Sequence, residues 1–222
     1  MSENFSFITS KLRVVRRSGS AAGTDFDAQG NESNELLVAQ GMPPYFELTR
    51  RFDLIKAMNT AALAALVVRP STLANFTIFN NESGPTGKYY LMHRIFAFNL
   101  VSTAAQAKQG MWCCVHKTGL VSPTNDITAR GSGLGNPQVA TKSIADTNMT
   151  VVDDGWFPVG NWSDVEPTGV LPGAIMEFKF DGTAIVPPQQ GISGQVVSGV
   201  VGNTFTMGFE WWEIPPQYIT LG

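Results

Sequence analysis

Apolar and polar residues along this chain recur most often with a period of two, the spacing of a half-buried strand. The segments 75–80 (NFTIFN) and 88–101 (KYYLMHRIFAFNLV) are rich in aromatic and β-branched residues, as is TFTMGFEWWEIP (204–215). Such residues favour a pleated, partly buried surface. Turn-forming residues separate these runs. Asp181-Gly182, between AIMEFKF and TAIVPP, predicts a two-residue hairpin turn, because both positions must accept positive φ. Gly202-Asn203, between QVVSGVV and TFTMGFE, predicts a second hairpin. Strands recurring at roughly 8–12 residues with turns between them predict an all-β fold, an antiparallel sandwich or barrel. One stretch, FDLIKAMNTAALAALVV (52–68), is ambiguous. Its alanines favour helix, whereas Asn59, Thr60 and the closing Val-Val-Arg-Pro favour a strand near Ala61–Val68. It is read as strand.

Composition sharpens this picture. Hydrophobic residues make up 43% and charged residues 15%, with 22 Gly and 13 Pro, which suits many short strands and not a helical bundle. The length fits one sandwich domain, placed at 44–222, preceded by an arm over 1–43. The arm begins with the short basic piece KLRVVRR. It continues through SGSAAGTDFDAQGNESN, which has too few large apolar residues to offset the entropy of ordering. It is expected to be extended and to order against a neighbour, with Leu12, Val14 and Val15 adding a strand to another subunit beside Arg16 and Arg17. The net charge of −3 gives no reason to expect nucleic acid as a partner, although the cluster Lys11, Arg13, Arg16 and Arg17 could touch phosphates. No run of 18 apolar residues predicts a membrane span, and the first residues lack the apolar core of a signal peptide, so synthesis in a cytoplasm is expected.

The candidate chemistry is sparse. MWCCVHK (111–117) holds both cysteines and one of the two histidines. On a strand, Trp112, Cys114 and His116 share one face, and Met111, Cys113 and Val115 share the other. Two neighbouring thiols on opposite faces cannot hold one tetrahedral ion, so no metal site is expected. Cys114 with His116 as base would need a third, orienting group, which the sequence does not identify. Buried structural cysteines are therefore expected. The same alternation places Met92, Arg94 and Phe96 on one face and His93, Ile95 and Ala97 on the other. Asp153-Asp154 before Gly155 fits a turn. Asp164 and Glu166, near Trp162, could line a sugar site, but no acid/base pair is recognisable. GSGLG (131–135) is followed by no lysine and is no phosphate loop. No enzyme and no cofactor is expected. The aromatic residues of the 155–169 stretch, Trp156, Phe157 and Trp162, are candidates for loop anchors or for a subunit interface.

Several segments together resemble a known pattern: YFELTRRFDLI, FTIFNNESGPTGKYYLMHRIFAFNLVSTAAQA, MWCCVHKTGLVSPTNDITAR, VVDDGWFPVG, VLPG, IVPPQQGIS and GFEWWEIP. Over roughly residues 40–216 the chain resembles a family of bacteriophage and metagenomic viral proteins of the capsid decoration, or cement, type. That resemblance implies a jelly-roll-like β-sandwich, a place on the virion, a homo-trimeric state and the major capsid protein as partner. A head-fibre or tail module that recognises host glycans is the alternative it leaves open.

Overall fold

A computed structural model describes residues 13–14, 26–27, 49, 52, 54–101, 107–117, 120, 127–131, 141–165 and 175–219. The chain divides into two units, Met1–Pro44 and Tyr45–Gly222. In the first, β1 (Arg13–Val14) pairs antiparallel with β2 (Phe26–Asp27), setting Val14 opposite Phe26.

The second unit holds twelve strands among its described residues. They are β3 (Leu54–Met58), β4 (Leu63–Ala64), β5 (Leu73–Asn80), β6 (Tyr89–Val101), β7 (Ala107–His116) and β8 (Arg130–Gly131). There follow β9 (Ser143–Thr150), β10 (Phe157–Val165), β11 (Ile175–Lys179), β12 (Ile185–Val186), β13 (Gly191–Ser198) and β14 (Thr204–Ile214). One sheet runs β10-β7-β13-β5-β9; the other runs β11-β6-β14-β3-β8, with β12 also on β6 and β4 on β14. All ladders are antiparallel.

Eight strands form the frame, in chain order β3, β5, β6, β7, β10, β11, β13 and β14. The first, eighth, third and sixth lie side by side in one sheet, and the second, seventh, fourth and fifth in the other. This is the double Greek-key order of a jelly roll. The expected all-β, antiparallel, jelly-roll-like sandwich is what the chain forms. The extra strands β8 and β9 both come from the long connection between β7 and β10. They widen both sheets on the same side, β8 beside β3 and β9 beside β5.

The core is built where the inner faces of the two sheets meet. Phe76 of β5 lies 5.9 Å from Phe209 of β14, and Tyr90 stacks on Trp211 at 5.9 Å. Ile55, Ile78, Ile95, Ile192, Val196, Phe205 and Met207 are all without solvent exposure. Burying each such side chain contributes roughly 1.5–3 kcal/mol. Cys113 joins this core while Cys114 lies on the opposite face with Trp156, as the alternation predicts.

The turns were legible, but their strand pairings were not. Asp181 (φ 46°) and Gly182 (φ 82°) form the expected tight turn, closed by Thr183 N–H donating to the Phe180 carbonyl at 2.8 Å. Yet β11 and β12 do not pair with each other. Ile175–Lys179 pairs with Phe98–Arg94, and Ile185–Val186 with Leu91–Tyr90. The turn is a loop pushed out of one edge strand, which then resumes in the same direction. The Gly202 turn likewise joins no hairpin: β13 and β14 lie in different sheets. A turn dipeptide permits reversal, but the partner is chosen by which pairing buries both apolar faces.

Two further readings shift. Asn59 is buried, and its side chain both accepts from the Met207 N–H and donates to the Ala61 carbonyl, so it breaks the 52–68 stretch. The longer strand is β3, before Asn59, and β4 after it has two residues. Met92 falls on the core side with Ile95 and Ala97, because a register shift at His93 moves the pairing from Arg94↔Glu210 to Met92↔Trp211. The stretch expected as a loop over 155–169 contains strand β10, whose own pairing with β7 shifts between Val159 and Ser163.

Candidate functional site

The Cys-His stretch on β7 organises a polar chain on the outer face of its sheet. His116 Nε2 lies 2.7 Å from Ser193 Oγ on β13, and Ser193 Oγ lies 2.8 Å from Thr77 Oγ1 on β5. On the other side of the ring, His116 Nδ1 is 3.6 Å from Asp154 Oδ2 and 3.8 Å from Cys114 Sγ. Asp154 also accepts from the Lys117 N–H at 3.2 Å. A carboxylate only accepts, so the neutral ring carries its proton on Nδ1. Ser193 then donates to Nε2 and accepts from Thr77. Trp156 packs edge-on against the imidazole at 6.3 Å and donates its indole N–H to the Ser71 carbonyl at 2.8 Å.

Asp154, His116 and Ser193 thus have the connectivity of a hydrolytic triad. The third group missing from the sequence reading is Asp154, a turn residue 38 positions away, whose role no local pattern signals. Exposure decides the chemistry. Ser193 and Thr77 are 0% exposed and His116 is 1% exposed, so no substrate carbonyl reaches Ser193 Oγ. Burial lowers the basicity of His116 against the opposing pull of Asp154, and burial raises the Cys114 thiol. Both are neutral near pH 7. The cluster holds three strands together and offers no accessible nucleophile. Among the described residues no group of three or more His, Cys, Asp or Glu is placed to hold a metal.

The outer face of the other sheet carries a charged row. The ladder registers set Lys179 opposite Arg94, Arg94 opposite Glu210, Glu210 opposite Lys56, and Lys56 opposite Arg130. The row therefore crosses the five strands β11, β6, β14, β3 and β8 of that sheet. Arg94 grips Glu210 with two hydrogen bonds, Nε–Oε2 at 2.7 Å and Nη2–Oε1 at 2.8 Å, and these hold its guanidinium above its ordinary pKa. Glu177 sits 3.5 Å from Arg94 and 3.9 Å from Lys179. At the β3–β8 end the row opens into a groove of about 460 Å³.

A third feature lies at the end of the sandwich where β13 turns into β14. Val101 closes β6 opposite Thr204, and Leu66 bridges to Val197, which brings Val67 and Val68 to the same turn. Val67 is 49% exposed, Val68 64%, Val101 53% and Val201 75%.

The residues expected at an interface are distributed as follows. Val14 lies on β1, while Leu12, Val15, Arg16 and Arg17 fall outside the described residues. Trp156 is buried as a loop anchor, Phe157 opens β10 with 43% exposure, and Trp162 lies within β10. Asp164 is on β10 opposite Lys108, and Glu166 falls outside the described residues. Comparison with protein-family models, curated proteins and solved structures finds no significant match to this chain.

Proposed function

We propose that this chain is a bacteriophage virion structural protein, a jelly-roll subunit that oligomerises and stabilises the head by bridging subunits of the major capsid protein. The observation that carries the reading is the valine-bearing end of the sandwich. Four β-branched apolar side chains stand in solvent around one turn, the kind of patch that marks a protein–protein contact. The fold is compatible, since jelly rolls serve in capsid proteins as well as in lectins, although architecture alone does not assign function. In this proposal the valine end packs against its copies in a homo-trimer. Binding only the assembled shell then raises its resistance to opening by mass action.

The test is solution mass by light scattering, followed by sedimentation with undecorated capsids. A trimer that co-sediments with capsids and lowers their rate of thermal opening supports the reading. A chain that stays monomeric at all concentrations and remains in the supernatant overturns it.

A further inference from the structure

We propose that one water molecule is bound between Trp112 and Gln195, on the outer face of the β10-β7-β13-β5-β9 sheet, as a fixed part of that face. The two residues are direct register partners on β7 and β13. Such partners project to the same side of a sheet. Gly194, the residue before Gln195, faces the opposite sheet: a Cβ there would come within 2.8 Å of Ile95 Cδ1. Gln195 therefore points away from the main core. Trp112 packs on that outer side, against the cluster of Ala74, Cys114, Val151 and Trp156.

Each residue brings one polar atom to this place. The Gln195 side chain is sealed from solvent, and its Nε2 donates to the Val196 carbonyl at 3.2 Å. Only the amide nitrogen can face a carbonyl, so that bond fixes Oε1 as the other end. Oε1 is buried with no hydrogen-bond partner in the protein, and so is the indole nitrogen of Trp112. The first only accepts and the second only donates. Buried polar groups are almost always satisfied, by protein or by ordered water. The neighbouring polar side chains are already engaged. Ser193 meets His116 and Thr77. Asn75 accepts from the Val196 N–H and donates to the Ala64 carbonyl. Water can accept from the indole and donate to the amide oxygen at once, the usual role of an internal water. The scale fits. Cβ atoms of cross-strand partners lie roughly 4.5–5.5 Å apart. Two hydrogen bonds of about 2.8–2.9 Å through a tetrahedral water span roughly 4.7 Å. An apolar occupant would leave both atoms unpaired. The bridge ties β7 to β13 in the row next to the Cys114–Ser193 pair, so the two strands are joined by side chains in successive rows of this face.

The test uses the full chain labelled with nitrogen-15. The Trp112 indole signal, one of five in the chain, is assigned by its loss in Trp112→Phe. In the parent, the Trp112 indole proton should show a nuclear Overhauser contact to water that changes sign between the laboratory and rotating frames, the mark of a bound water as opposed to proton exchange. That contact should disappear in Gln195→Met, which keeps the length of the side chain and removes the acceptor. Urea midpoints give an independent reading. If one water serves both atoms, Trp112→Phe/Gln195→Met should be no less stable than the less stable single variant. An indole proton without the water contact in the parent overturns the proposal. So does a contact that persists unchanged in Gln195→Met, or single-variant losses that simply add. The parent spectrum decides even where a variant fails to fold.

Discussion

His116 and Ser193 meet at 2.7 Å across two strands, both sealed from solvent. Ser193 also pairs with Thr77 on the next strand, so one hydroxyl links the polar groups of β5, β7 and β13. Ser193→Ala leaves two buried polar groups short of a partner. It should cost about 1–3 kcal/mol of stability, measured as a shift in the urea midpoint at unchanged m. A substitution that costs nothing would show that water replaces the hydroxyl.

Acid should weaken the fold in two separate steps. Burial lowers the basicity of His116 and, by the same cause, that of His93. Below an ordinary histidine value of about 6.5 the unfolded chain therefore binds more protons than the folded one, and stability falls as pH falls. Asp153 acts lower on the scale. Its hydrogen bond from Arg69 holds its carboxyl below the ordinary value, so its contribution is present above about pH 4 and is lost on further acidification. Denaturant midpoints between pH 7.5 and 5.5 should decline, and His116→Gln should flatten that decline while leaving the lower step in place.

Asn80 ends β5 with a fully buried side chain. Its amide donates to the carbonyls of Lys88 at 2.9 Å and Val186 at 3.0 Å, and its oxygen accepts from Glu82 N–H at 3.1 Å. Asn80→Ala orphans all three backbone groups and should cost about 2–4 kcal/mol. Asn80→Asp keeps one acceptor but loses both donated bonds, and should fall no closer to the parent than the alanine variant.

Neither cysteine is exposed, and burial raises both thiols. An aromatic disulfide reagent should therefore modify Cys113 and Cys114 no faster than the chain unfolds. Rapid labelling of the native protein would mean that the loop around Trp156 opens independently of the rest.

The alternation of apolar residues carried the all-β architecture and the faces of Cys113 and Cys114, because a period of two is a property of the strand itself. The pairing of strands was not carried. Asp181-Gly182 and Gly202-Asn203 signal turn geometry, and that signal is the same whether the following strand pairs back, crosses to the other sheet or resumes along its edge. His116 was visible as a candidate, but Asp154 and Ser193 reach it only through tertiary structure. The row from Lys179 to Arg130 is written on five strands that lie far apart along the chain. Met92 shows the limit of local reading most simply: one extra residue at His93 reverses the face of everything before it.

Wherever copies of a β-sandwich meet at high concentration, an open sheet edge templates disordered aggregates. The loop at Asp181-Gly182 bears on this directly. It divides the outer strand on β6 into pieces of five and two residues. An intruding chain finds no long straight row of amides there, only a short run that ends against a protruding turn. β8, the strand bounding the same sheet on its other side, has two residues. The same sequence device that misleads as a hairpin signal thus shortens the backbone edge of this sheet, while the other sheet is bounded by the longer strands β9 and β10.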